Sequence, residues 1–181
     1  MPRLQVIATG TWEAPAMIDI RAVRPAELQW VAEQLEDWKS GLLTRLDRLK
    51  PDKYLVAAEG EQLLGFLEGH HEFSNWGLMA RYAELPTEAL GSYVPFIYVV
   101  PERRGNGVGA ALLREFAREA AARSSAAIVL QPDEADNGRS SRIEFFKQNG
   151  FTWEEPSVEY SAHEPWLMSA VPIAITQLSD A

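Results

Sequence analysis

From Val99 to Leu113 the chain reads Val-Val-Pro-Glu-Arg-Arg-Gly-Asn-Gly-Val-Gly-Ala-Ala-Leu-Leu, with glycines alternating at 105, 107 and 109 after a pair of arginines. That pattern is suited to holding an anion. Without Cβ atoms the backbone can approach a ligand closely, successive N–H groups point into the turn, and a helix start adds about half a positive charge. A pyrophosphate fits such a turn. The dinucleotide fingerprint fails, because counting from Gly107 puts Leu112 where a third Gly or Ala is needed. The phosphate-loop pattern fails too, since no lysine lies between Lys53 and Lys147. A turn made only for strand-to-helix packing has no need of three alternating glycines. A second group, Glu68, His70, His71 and Glu72, sits at the end of an apolar run. Strand alternation puts Glu68, His70 and Glu72 on one face and His71 on the other.

These residues must be carried by regular elements, and the spacing supplies them. Ile18 to Ala22 alternates as a half-buried strand, and Pro25 suits a first helical turn. Leu28, Val31, Ala32 and Leu35 predict one amphipathic helix, and Trp38, Leu42, Leu46 and Leu49 a second that Pro51 stops. Tyr54–Ala58 and Leu63–His71, joined through Gly60, read as a hairpin. From Glu72 to Ser92 the pattern degrades into a long connection, in which Trp76, Met79 and Tyr82 suit either a lid or a plug onto the core. Val94 to Val100 reads as a central strand buried on both faces. Val108, Leu112, Phe116 and Ala120 mark the buried side of the helix that the glycine turn opens. Ala126–Leu130 predicts a further strand, and Ser141 to Glu144 a capping box starting a helix that Gly150 can end. Phe151–Glu154 and Pro165–Ile175 are expected to supply closing strands. Residues 1–17 read as an extension or lone edge strand, and 18–181 as a single domain.

Arg104, Gly107 and Gly109 reproduce the acyl-coenzyme A signature of the GNAT acyltransferase superfamily: Arg or Gln, two residues, Gly, one residue, Gly or Ala. The apolar Ile97-Tyr98-Val99 before the turn and Phe145-Phe146 ahead of Gly150-Phe151 follow the same order, so the chain resembles that family from residue 18 to about 172. The resemblance implies an α/β fold with a mixed, twisted central sheet and helices on both faces. It also implies acetyl-coenzyme A as acyl donor. The backbone of Ile97, Tyr98 and Val99 would face the pantetheine and thioester, and Arg104, Gly105, Asn106, Gly107, Val108, Gly109 and Ala110 would hold the pyrophosphate. Asn137 is similar to the asparagine that contacts the pantetheine arm, with Ser141 a competing helix cap. Phe146 departs from the pattern: many members carry there a tyrosine that protonates the leaving thiolate, and a phenyl ring has no proton to give. Tyr98 and Tyr160 are alternative proton sources, as is water.

In that reading a primary amine of a small molecule or peptide attacks the thioester directly. An ammonium must first lose a proton, which calls for a base or a water chain. Glu68 and His70 are the candidates, although charged side chains at a strand end are commonly just solvated. The rival reading is an acyl-coenzyme A-binding or sensing module with lost or weak catalysis, motivated by Phe146. A longer acyl donor is a third.

Composition narrows the partners. Of 181 residues 46% are apolar and 24% charged, in keeping with one folded domain. A formal charge of -9, from 26 acidic and 17 basic residues, argues against nucleic acid and anionic membranes. It is compatible with a cationic acceptor. No cysteine is present, which excludes a cysteine acyl-enzyme and disulfides and points to the cytoplasm. His163 is the only further histidine, so no metal site is assigned. No apolar run reaches membrane-span length. A homodimer is left open.

Overall fold

The computed structural model describes residues 18–36, 49–72, 90–132, 139–152 and 168–177. The elements are β1 (Asp19–Ala22), α1 (Leu28–Glu36), β2 (Tyr54–Glu59), β3 (Gln62–His70), β4 (Gly91–Val99), α2 (Val108–Ala122), β5 (Ala127–Leu130), α3 (Arg139–Gln148), β6 (Met168–Ala170) and α4 (Pro172–Thr176). The six strands form one sheet in sequence order. Every pairing is antiparallel except β4 with β5, which is parallel. The expected mixed sheet is present.

Helices cover both faces because the strands alternate. On one face Val56 and Phe66 pack with Val23, Leu28, Val31 and Leu35 under α1. On the other, Leu55, Ala57, Leu64 and Leu67 meet Leu112, Leu113, Phe116 and Ala120 of α2, with Ile175 of α4 beside them. The fourfold spacing in α2 thus becomes a stripe of buried contacts. Gly150 ends α3 in the left-handed region at φ 85, with Phe151 N–H donating to Phe146 C=O and Gly150 N–H to Lys147 C=O, both at 3.0 Å. Those bonds close a Schellman motif.

Two expectations are corrected. Within the described residues the segment ending at Ile175 supplies a strand at Met168–Ala170, after which Pro172 opens α4, a first-turn position where its missing N–H costs nothing. Of the expected strand Phe151–Glu154, Thr152 bridges Ser169, and residues 153 and 154 lie outside the described residues. Helix α3 begins at Arg139, so Ser141 lies inside its first turn and does not cap it. Residues 1–17, the second helix around Leu42, Trp76, Met79, Tyr82, Asn137 and Tyr160 lie outside the described residues.

One polar contact fixes how the chain leaves β1. Arg21 donates two hydrogen bonds to Glu27, at 2.8 and 2.7 Å, and Arg24 N–H adds a third at 2.8 Å. The Arg21 hydrogen bond is the main reason the Glu27 carboxyl sits below the usual carboxylate range, against the opposing effect of burial. A carboxyl held low stabilises the fold above its unfolded pKa, and the gain is lost as pH falls through the folded value. Glu27→Gln is therefore expected to cost roughly 1 kcal/mol at pH 7. In urea unfolding the difference from the unsubstituted protein should vanish in acid, below the ordinary carboxylate range.

Candidate functional site

Strand β4 keeps β5 as a partner only from Gly91↔Ala127 to Val94↔Leu130, yet it runs on to Val99. From Pro95 onward it pairs with β3 alone. The two parallel strands therefore part like a V. The sequence-based expectation of a strand buried on both faces fails for this reason: Gly91, Ser92 and Val94 are buried, whereas residues 95–99 are half-buried along the opening.

The V widens into a cleft of about 680 Å³ bordered by β4, the glycine turn, the end of β5 and α3. At the turn, Gly105 and Gly107 have φ of 79 and 77, and an added Cβ at either would meet nothing within 4 Å. Glycine is there for backbone conformation and open space. Gly107 stands at the cap of the 15-residue α2 and has no side chain to satisfy the first N–H groups, and Gly107 to Ala110 line the cleft. The two arginines divide their tasks. Arg103, which borders the cleft, pairs with Glu59 at the end of β2. Arg104 donates from Nε to the Val99 carbonyl at 3.1 Å and lines the cleft.

Of the residues assigned to the donor from sequence, Ile97, Tyr98, Val99, Arg104, Gly105, Gly107, Val108, Gly109 and Ala110 line this cleft together. Asn106 is in the turn but not in the lining, and Asn137 is outside the described residues. Sequence reasoning missed Arg142, Phe145 and Asn149, which line the cleft with Phe146 at i, i+3, i+4 and i+7 along α3 and the residue that follows it. That spacing was available as a signal, masked because two of the four residues are polar. Asn149 is buried and donates its side-chain N–H to the Phe145 carbonyl at 2.8 Å. Phe146 is 7% exposed and packs edge-on to Phe145 and Phe151, so its ring is at once cleft wall and core.

Glu68 and His70 do not line the cleft. They lie on the opposite, α1-side face of the sheet, with the His70 Nε2 3.3 Å from Glu68 Oε1. Glu68 is opposite Tyr54 on β2 and Phe96 on β4, His70 opposite Tyr93. Between Tyr93 and Phe96 the strand β4 carries one extra residue relative to β3. This bulge resets the alternation, so Tyr93, Phe96 and Tyr98 share one face: Tyr93 stacks on His70, and the other two pack on Phe66. Burial, then the charge of Glu68 and a hydrogen bond to it, push the Tyr54 phenol well above its usual range. Burial and the same charge raise Tyr93. Both hydroxyls therefore stay protonated beside the carboxylate.

A model of the acetyltransferase (GNAT) family matches residues 17–151. The chain belongs to the GNAT acetyltransferase family. It is an acetyltransferase, and acetyl-coenzyme A is its acyl donor. None of the curated proteins matches it in sequence. Solved structures share the fold of this acetyltransferase at low identity. An aminoglycoside 6'-N-acetyltransferase complexed with coenzyme A is 16% identical, covers 85% of this chain and 97% of its own, and has a TM-score of 0.64. The PaiA N-acetyltransferase from Thermoplasma acidophilum, in complex with coenzyme A, is 16% identical over 86% of this chain and 99% of its own, with a TM-score of 0.59. Arabidopsis thaliana Naa50, bound to the bisubstrate analogue CoA-Ac-MVNAL, is 14% identical over 84% of this chain and 97% of its own, with a TM-score of 0.55.

The residues of the cleft fit the donor's anionic portion. Gly107→Val adds carbon to the open space the pyrophosphate would take and forces a branched residue to φ near 77. Stability should fall by about 1–3 kcal/mol from the strained backbone. Calorimetric titration of the folded variant with acetyl-coenzyme A should show affinity at least tenfold weaker, and undiminished affinity would exclude this turn as the phosphate site.

Proposed function

We propose that this acetyltransferase moves the acetyl group of acetyl-coenzyme A to a primary amine of a small molecule or peptide by direct attack. The observation that carries the reading is the open edge of β4 from Pro95 to Val99, which leads from the glycine turn to strands bearing Glu68 and His70. The amine nitrogen forms a bond to the thioester carbon, the carbon–sulfur bond breaks, the amine gives up its proton, and the thiolate takes one to leave as coenzyme A. Backbone N–H groups on the open edge are donors suited to the oxyanion that forms between these events. No cysteine exists to carry the acetyl group in between.

Glu68 and His70 are assigned as the proton acceptors. They are adjacent on one face, and Glu68 is 14% exposed beside two protonated tyrosines, a setting in which the carboxylate can attract an ammonium group and pass its proton on. The fold-level neighbours include one named for aminoglycosides and one bound to a peptide analogue, which supports both acceptor classes. The absence of cysteine supports a reducing, cytoplasmic setting. A second reading, an acyl-coenzyme A-binding module with weak catalysis, is favoured by Phe146, which lines the cleft without a proton to give.

Release of free coenzyme A with a panel of amines separates the two. Turnover with any amine supports transfer; tight acetyl-coenzyme A binding with no release supports the module. Where transfer occurs, whichever of Glu68→Gln and His70→Gln removes the base should lose ~10²-fold in kcat/KM with an altered ascending pH limb, the other remaining mild. Wild-type profiles in both would assign proton removal to water. Phe146→Tyr is expected to keep kcat within a few-fold or raise it. A large loss in the folded variant would mean that the core side of the ring, against Phe151, has no room for the hydroxyl.

A further inference from the structure

On the α2 side of the sheet, directly behind Glu68 and His70, lies a chain of hydrogen bonds that neither the donor cleft nor the proton acceptors use. Ser125 Oγ donates to the Ala127 carbonyl at 3.0 Å, which spends its only proton. Ser92 Oγ, fully buried, is 3.0 Å from Ser125 Oγ and must therefore donate to it. Ser92 can then only accept from His71 Nδ1, at 3.1 Å. The other ring nitrogen, Nε2, is 3.1 Å from Glu119 Oε2, and an ionised carboxylate also only accepts. Polarity thus propagates from one carbonyl to the imidazole. Both ring nitrogens have to be donors.

The surroundings agree with a cation there. The imidazole stacks on Phe116 with ring centroids 4.4 Å apart, a cation–π geometry. The hydrogen bond from His71 is the largest influence holding the Glu119 carboxyl below its usual range. Beyond Glu119 on α2 stand Arg123, 3.8 Å away, and Arg118, while Glu72 follows on the β3 side and β4 and the 124–126 turn bring only serines and apolar groups. Among the described residues the only non-glycines with positive φ are Glu72 at 51 and Ser124 at 56, and they flank the network on both sides. Such strain persists where the surroundings over-determine the backbone. Gly69 completes the attachment: a Cβ there would meet the Phe116 ring at 2.1 Å, so β3 sits directly on α2.

We propose that His71 is held as an imidazolium, and that this cation is a positioning residue which fixes the end of β3, and so Glu68 and His70, against α2 and the closed end of the β4–β5 pair. Its role in turnover rests on the proton-acceptor reading of Glu68 and His70 given above; the wiring itself does not.

Two-bond ¹H–¹⁵N spectra of the imidazoles in the full chain test the wiring. At pH 7 His71 should show both nitrogens protonated. In Ser125→Ala the Ser92 hydroxyl is released to donate to Nδ1, a neutral ring then satisfies both partners, and at pH 7 the Nδ1 proton should be lost. A neutral His71 at pH 7 in the unsubstituted protein, or a doubly protonated ring in Ser125→Ala, overturns the wiring. For the positioning role, His71→Gln carries both its N–H groups on one nitrogen, which cannot serve Ser92 and Glu119 from two positions as the ring does, and should lower kcat about tenfold with KM for acetyl-coenzyme A changed less than twofold, since the cleft lies at the open end of the V. The kcat ratio of Ser125→Ala to wild type should climb in alkali, where only the wild type loses a needed donor. An unchanged kcat in His71→Gln together with a flat ratio overturns the role. If Glu68→Gln and His70→Gln both keep wild-type turnover, the proton-acceptor reading falls instead, and the spectra still decide the wiring.

Discussion

The end of β4–β5 pairing at Val94 and Leu130 is the constraint on which the rest of the structure depends. A sheet gains by continuing its ladder, and β4 has five more residues that could do so. Two local features prevent it. Pro95 has no N–H to give, and the bulge between Tyr93 and Phe96 turns the strand just where the partner is lost. The polar groups released along this edge are the ones left to meet an extended ligand, so the same interruption that weakens the sheet creates the cleft.

The closed end of the V then has to be held firmly. There the buried Ser92 joins the half-buried His71, Glu119 and Ser125 across β3, β4, α2 and the turn into β5, and Gly69 lets α2 settle on the sheet. Buried polar groups are costly when one partner is missing, which makes a fully satisfied chain of them specific about geometry. On the reverse face the bulge performs a different task. By resetting alternation it turns Tyr93 to the side of Phe96 and Tyr98, so that three aromatic side chains of one strand gather around Glu68, His70 and Phe66.

Much of this was legible in the chain itself. The α2 stripe, the β2–β3 hairpin and the glycine turn all have local causes: fourfold apolar spacing, a glycine connection, and left-handed glycines before a helix. What was not legible depends on tertiary partners. The half-burial of residues 95–99 follows from the departure of β5, which the continuous apolar run Val94–Val100 hides and which only Pro95 within it signals. Met168–Ala170 and α4 share one apolar run that periodicity cannot divide, and Pro172 decides it. On α3 the lining face mixes Arg142 and Asn149 with two phenylalanines, so it looks irregular until the cleft beside it is seen. The opposite placement of Glu68 and His71 was legible from alternation, but their partners, Tyr54 and Glu119, are distant in sequence.

An acidic protein of net charge -9 repels a polyanionic donor through its whole-molecule field, and the distances involved decide how much that matters. Charges farther than about 8 Å are largely screened at physiological ionic strength, so the excess of carboxylates acts weakly at the turn. What a pyrophosphate would meet there is local: free N–H groups at the start of a long helix, worth about half a positive charge, and the guanidinium of Arg104 lying across the end of β4. Glu59, at the end of β2, is already taken up by Arg103. That pairing balances its charge and leaves the guanidinium of Arg104, which no carboxylate is seen to engage among the described ion pairs, on the wall of the cleft where a pyrophosphate would meet it.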